Sequence, residues 1–309
     1  MILRFPDATE AMAELIEGPL ADILPALRVT VAPPDPAALV AAVQDAEGLL
    51  LQRARIDAAT LAALPRLRAI AYLSTGVGSW VDLEAAAARG VAVRGVPGYG
   101  DRSIAEHALA LVFSALRGVA TADRALRGGR WIEHVGTELA GRRLAVIGLG
   151  GTGRALAEIG RALGCEVVGW NRSPSDAAKM LPLDECLATA DIVSLHLALT
   201  SETRGLIDRR RIGLLRPGSV LVNTARGGLL DEAALVDRLR TGDIAAGLDV
   251  FAREPLPADH PLLGLDNVTL TPHLAWNTGA ARRRLLQGGL LALRDMAGAG
   301  QAASGTQPR

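Results

Sequence analysis

The sequence predicts an α/β protein built as two doubly wound parallel-sheet domains. Three observations carry this. Short apolar runs alternate with amphipathic segments from the first residues onward, a Gly/Pro cluster at 95–100 interrupts the alternation, and a second, clearer alternation starts at Arg143. Strands separated by helical segments pair in parallel, with the helices covering both sheet faces. The chain has 309 residues, half of them hydrophobic, which is enough for two cores.

In the first third, strands are expected at 2–5, 29–32, 48–52, 67–74 and 91–96. Helical spacing is expected over 36–46, 58–64 and 83–89. After the cluster Gly95-Val96-Pro97-Gly98-Tyr99-Gly100, residues 103–116 read as a long helix and 127–136 as a loop. The second alternation predicts strands at 143–148, 166–171, 191–197, 219–225, 245–250 and 268–273. Its helices are expected at 152–163, 183–190, 209–215, 231–240 and 282–296, with a disordered tail after Gly298.

Lys plus Arg and Asp plus Glu both number 33, so no net field draws the chain to nucleic acid or to an anionic membrane. The apolar run at 104–116 is too short for a bilayer and is broken by Glu106 and His107. The N-terminus lacks a signal-peptide pattern, and two cysteines, Cys165 and Cys186, make no disulfide framework. A reduced cytoplasm is the expected setting. No His, Cys or acidic residues stand at metal-ligand spacing, so no metal is expected.

The strongest local signal is Gly148-Leu149-Gly150-Gly151-Thr152-Gly153, which matches GxGxxG between an apolar strand and a helix. The first glycine makes a tight turn, the second lets backbone approach a pyrophosphate, and the third lets helix and sheet pack closely. Gly151 and Thr152 open the helix, whose free N–H groups favour phosphate. This predicts a Rossmann-type nucleotide domain. A ligand-free glycine turn is the plainer reading of the same residues.

The end of the second strand holds Asp or Glu in an NAD site. Here it reads Trp170-Asn171-Arg172-Ser173. No acid in this stretch repels a 2′-phosphate; Arg172 can pair with one, and Asn171 and Ser173 can donate to it. NADP is therefore expected ahead of NAD, with a solvated Arg172 as the alternative.

Three further strand ends carry chemistry: Asn223-Thr224-Ala225-Arg226-Gly227-Gly228, Asp249-Val250-Phe251-Ala252-Arg253-Glu254-Pro255, and Thr271-Pro272-His273. A cation, a carboxylate and an imidazole thus follow parallel strands, at the edge where open α/β sheets bind ligands. Taken singly, each also has a structural reading: a cap, a solvated loop acid, a turn residue. Together with the stretch 105–111, the glycine motif and Asp191-Ile192-Val193-Ser194-Leu195-His196-Leu197, they resemble the D-isomer-specific 2-hydroxyacid dehydrogenase family. The likeness runs from about residue 67 to about 282.

The resemblance implies a hydride transfer between NAD(P)H and a small 2-keto or 2-hydroxy acid. Arg226 would hold the substrate carboxylate and polarise the keto oxygen. His273 would exchange a proton with that oxygen, and Glu254 would favour its imidazolium. His196, Thr224, Ala225 and Asp249 would lie on the cofactor side. Ser74, Thr75, Gly76 and Val77 would bind the substrate carboxylate through backbone N–H groups. Tyr99 and Trp276 would shape the pocket; Trp276 is similar to a residue of bacterial hydroxypyruvate reductases. Glyoxylate or hydroxypyruvate is expected as substrate, because small polar acids fit a Ser, Thr and Gly loop.

The same resemblance implies residues 97–281 as the nucleotide domain, and 1–96 plus 282–309 as a flavodoxin-like substrate domain. It also implies a homodimer through the helix after Ser103 and the loop around Trp131. The departures from the family are Gly95, where many relatives carry Asn, and Ala198, where Pro is usual; both would loosen local structure. Phosphite or another specialised substrate remains a rival, as does a non-catalytic dinucleotide-sensing corepressor role.

Overall fold

Apolar β-branched runs flanked by Asp-capped helices build two compact units, Met1–Tyr99 with Gly279–Arg309, and Gly100–Thr278. The computed structural model describes residues 1–32 and 36–304. The crossovers expected from sequence, 96/97 and 281/282, lie three residues to either side of these.

In the first unit the chain runs β1 (Leu3–Ala8), α1 (Glu10–Glu17), β2 (Leu27–Val31), α2 (Pro36–Val43), β3 (Gly48–Leu51), α3 (Ala58–Ala63), β4 (Ala69–Tyr72), α4 (Leu83–Ala88) and β5 (Ala92–Arg94). The sheet order is β2-β1-β3-β4-β5, with every described pairing parallel. This is the flavodoxin-like order. β3 and β4 are buried at every residue, as expected of central strands covered on both faces. Asp57 and Asp82 cap α3 and α4 by accepting from the amides of Thr60 and Ala85. α1, two turns long, is not among the helices expected from sequence; it buries Met12, Ala13 and Ile16.

Gly95 does not loosen its surroundings. A Cβ there would sit 2.5 Å from the Ser74 carbonyl oxygen and 2.8 Å from Val77 Cγ1. Its lack of a side chain is what lets the loop after β4 close over the end of β5.

The second unit runs α5 (Asp101–Arg117), α6 (Val119–Arg127), β6 (Arg143–Ile147), α7 (Gly151–Ala162), β7 (Glu166–Trp170), β8 (Lys179–Met180), α8 (Leu183–Thr189), β9 (Ile192–Leu195), α9 (Arg209–Gly213), β10 (Val220–Asn223), α10 (Glu232–Arg240), β11 (Ala245–Leu248) and β12 (Val268–Leu270). The order β12-β11-β10-β9-β6-β7-β8 reverses direction beside β6, which makes the β6/β9 boundary the topological switch point. Two apolar layers flank the sheet, one from α8, α9 and α10 and one from α5 and α7. Each fully buried Leu, Ile or Val in them contributes roughly 1.5–3 kcal/mol.

Gly118, at φ 62°, ends α5 and lets α6 start directly, so the helical chain continues beyond the predicted 103–116 segment to Arg127. The two-residue β8 is likewise not among the expected strands. Among the described residues no single helix is long and apolar enough to cross a membrane.

The last helix, α11 (Gly279–Ser304), returns to the first unit. Gly288 and Gly289 bring it against Val96 and Leu73. The predicted disorder after Gly298 is corrected as far as Ser304, which is helical; residues 305–309 lie outside the described residues.

Candidate active site

The glycine loop joins β6 to α7 at the switch point. Gly148 has φ 100°, and a Cβ there would lie 2.6 Å from the His196 carbonyl oxygen. A Cβ at Gly153 would collide with the Gly148 carbonyl. Gly150, the residue preceding α7, would point a Cβ into open space and carries no side-chain cap. The loop therefore combines glycines demanded by packing with an open backbone edge at a helix N-terminus, which fits a pyrophosphate. Thr224, just past β10, adds a buried hydroxyl with no hydrogen-bond partner among the described residues.

The residues read as a 2′-phosphate site are differently engaged. Asn171 Oδ1 accepts from the Leu149 amide at 3.2 Å, and its Nδ2 donates to the Ser173 carbonyl at 3.0 Å. Asn171 thus braces the glycine loop; its amide is not held out for a ligand. Arg172 pairs with Glu202 at 2.9 Å. The sequence stretch contains no acid, but the fold supplies one from 30 residues along the chain. Both side chains are largely exposed, so the pair is weak, about 0–1 kcal/mol, and exchangeable. Ser173 is exposed beside them.

His196 follows β9. Its Nε2 is 2.8 Å from Ser194 Oγ, and burial pushes its pKa down to about 4, so the ring is neutral near pH 7.

Arg226 is exposed on a turn stitched by the buried Asn223. Asn223 Oδ1 accepts from the Ala225 amide at 3.0 Å, and its Nδ2 donates to the Arg226 carbonyl at 2.9 Å. A Cβ at Gly227 would collide with the Phe251 backbone, so the Arg226 turn presses on the loop that carries Glu254.

Glu254 Oε1 accepts from the Phe251 amide at 3.0 Å, and its Oε2 lies 2.7 Å from His273 Nδ1. The two side chains are 36% and 40% exposed, respectively, and so open to a substrate. With Nδ1 engaged by the carboxylate, Nε2 is the nitrogen available for proton transfer. His273 has φ 52°, the left-handed region that costs a non-glycine residue about 1–2 kcal/mol. A strained residue of this kind persists because its surroundings hold it.

Asp249 does the holding. The family resemblance implies a place for it on the cofactor side; the structure shows what it does for the loop. Its carboxylate is fully buried and accepts from Thr271 Oγ1 at 2.6 Å, the Leu274 amide at 2.9 Å and the Ala275 amide at 2.9 Å. Its own carbonyl accepts the His273 amide at 2.8 Å. His107, expected only as a helix residue, joins this network through Nε2, 2.9 Å from Thr271 Oγ1. Glu232 and His260 brace the other loop. Glu232 accepts the Ala252 amide at 3.0 Å and lies 3.2 Å from His260 Nε2. No sequence signal marks His107, Glu232 or His260, since each acts through a distant loop. Trp276 lies in the same unit, beside Gly100 at the start of α5.

The loop Ser74–Val77 belongs to the first unit. Ser74 Oγ accepts the Gly76 amide at 3.2 Å, and Thr75 Oγ1 donates to the Val96 carbonyl at 3.3 Å. The amides of Thr75 and Val77 have no partner among the described residues.

A family model, "D-isomer specific 2-hydroxyacid dehydrogenase, NAD binding domain", matches residues 109–275, from within α5 to the loop beyond His273. The chain belongs to the D-isomer-specific 2-hydroxyacid dehydrogenase family. It is 45% identical over 261 residues to the D-3-phosphoglycerate dehydrogenase of Mycobacterium tuberculosis, covering 81% of this chain and 49% of that one. The chain thus spans about half the length of the phosphoglycerate dehydrogenases that it matches. It is 36% identical over 298 residues to the glyoxylate reductase of Aeropyrum pernix, covering 91% of this chain and 87% of that one. Among solved structures, the TT0316 protein of Thermus thermophilus superposes with a TM-score of 0.87 at 35% identity, covering 97% of each chain. The parallel-sheet α/β domains are those of the family, and residues 100–278 include its NAD(P)-binding domain.

Proposed function

We propose that the protein transfers a hydride between NAD(P)H and a small 2-keto or 2-hydroxy acid, with glyoxylate or hydroxypyruvate as substrate. The observation that carries this reading is the His273–Glu254 pair at 2.7 Å, held on its loop by Asp249 in the unit that also bears the glycine loop and Arg226. When bound, the nicotinamide supplies the two electrons and the hydrogen that reduce the carbonyl carbon. Arg226 binds the substrate carboxylate and polarises the keto oxygen with its planar two-donor fork. His273 Nε2 gives that oxygen a proton during reduction and takes it back during oxidation. Glu254 stabilises the imidazolium through Nδ1. The open amides of Thr75 and Val77 support a carboxylate-binding role for the Ser74–Val77 loop.

NADPH is the preferred cofactor in this reading. The exposed Arg172–Glu202 pair gives way to the 2′-phosphate, a doubly charged acceptor that an arginine fork binds more strongly than a single solvated carboxylate. Oxidation of NADPH and of NADH, followed with glyoxylate, hydroxypyruvate, pyruvate and 3-phosphohydroxypyruvate, tests the reading. Turnover should be fastest with one of the first two acids and with NADPH. A clear NADH preference defeats the cofactor assignment, and no turnover of any 2-keto acid defeats the reaction. A second reading, oxidation of D-3-phosphoglycerate, has the 45% identity to the mycobacterial enzyme in its favour, and the fourth acid discriminates it.

The protein is further proposed to work as a homodimer. Val119 and Leu126 on α6 and Trp131 and Val135 on the loop that follows are exposed apolar side chains close together in sequence, with Trp131 87% and Val135 97% exposed. Exposed apolar side chains that gather into a patch mark protein contacts. Light scattering should report twice the chain mass, and a monomer mass would contradict the assignment.

A further inference from the structure

The N-terminal turn of α7 is the part of the glycine loop that would face the diphosphate, and the structure places a carboxylate on it. Asp101 is the first residue of α5. Its Oδ1 accepts from Thr152 Oγ1 at 2.8 Å. Its Oδ2 lies so close to Gly151 that any Cβ at 151 would collide with it. The side chain that holds this carboxylate is thus a neutral hydroxyl. The nearest arginines in sequence are committed elsewhere, Arg102 to Glu106 at 2.7 Å and Arg154 to Asp176 at 2.8 Å. α7 itself lacks a side-chain cap from Gly150.

Two consequences follow from elementary electrostatics. A carboxylate at a helix N-terminus is favoured by the partial positive charge there, so in the free protein Asp101 is a good companion for α7. A diphosphate seeking the same positive end meets a fixed negative charge, and like charges a few ångströms apart repel even in a largely solvated setting.

We propose that Asp101 acts as a stand-in anion at the diphosphate cradle and sets the dinucleotide affinity of this chain by opposing the bound phosphates. The proposal rests on the dinucleotide-binding reading of the loop. Gly151 is part of the device, since any side chain there would expel the carboxylate. Thr152 holds Asp101 in place. The adenosine and nicotinamide ends of the ligand play no part, so the effect belongs to the diphosphate alone.

The test is direct binding to the full chain, by calorimetry or by quenching of protein fluorescence, with NADPH, NADH, ADP and adenosine. Asp101→Asn keeps the shape and hydrogen-bonding reach of the side chain and removes its charge. It should tighten Kd for NADPH, NADH and ADP by about tenfold at low salt. The gain should shrink as salt rises, and adenosine binding should not change. Asp101→Ser is a second, smaller neutral variant and should show the same pattern, which separates loss of charge from damage to the amide variant's packing. Unchanged or weaker ADP binding in both folded variants would overturn the proposal, as would an equal gain for adenosine. Failure of the unaltered protein to bind NADPH, NADH or ADP would overturn the dinucleotide reading and this proposal with it.

Discussion

His273→Asn should lower kcat by about 10²–10⁴, the usual contribution of a positioned general acid–base group. Asparagine tolerates the left-handed backbone at 273, where φ is 52°, so the loop fold should survive the change. The glycine loop is untouched, so dinucleotide Kd should stay within about twofold, because the ring makes no contact there and only the proton transfer is lost. Activity at neutral pH separates this histidine from His196. His196 is held near a pKa of about 4 by burial, so it is already neutral above about pH 5 and takes up a proton only as the pH falls further. Protonation of His196 therefore plays no part near pH 7, and His196→Gln should cost far less kcat there than His273→Asn. A His273→Asn protein with more than a tenth of the original kcat would remove the imidazole from the reaction.

Arg226→Gln should lower kcat/KM by about 10²–10⁴. Two charge-assisted hydrogen bonds at about 1.5–3 kcal/mol each are at stake, and every 1.4 kcal/mol is a factor of about ten. Arg226→Lys keeps the charge and loses the planar fork, so it should recover a minor part of the loss, mostly in KM. The Asn223 bonds to the Ala225 and Arg226 backbone do not involve the guanidinium, so the turn should stay folded in both variants. Full activity in Arg226→Lys would show that geometry at this cation is unimportant, and full activity in Arg226→Gln would discard its role altogether.

The phosphoglycerate dehydrogenases and glyoxylate reductases that the chain resembles differ in substrate, yet the proposed proton-transfer pair here is built from generic parts. One carboxylate buried behind the loop, Asp249, accepts from both sides of His273. One exposed carboxylate, Glu254, is itself anchored by the Phe251 amide. This layering explains how a half-exposed histidine keeps a fixed direction. Its freedom is removed by the backbone beneath it, which no substrate has to reorganise.

Much of this is legible in the amino-acid order alone. The buried runs of β3, β4, β6, β9 and β10 are nearly continuous apolar stretches, and only a sheet covered on both faces accepts such strands. The glycine spacing at 148–153 identifies a turn that other residues cannot make. What stays hidden is short or distant. α1, α6 and β8, of eight, nine and two residues, are not among the elements read from the amino-acid order. Asp101 meets Thr152 across 51 residues, Glu202 meets Arg172 across 30, and His107 meets Thr271 across 164. Local pattern determines which strands and turns form, because propensity and burial act on neighbours in the chain. Which charge lands beside which is decided by strand order and loop path, so Asp249 became the support of the His273 loop, and Arg172 acquired an acid, only when the sheet closed around them.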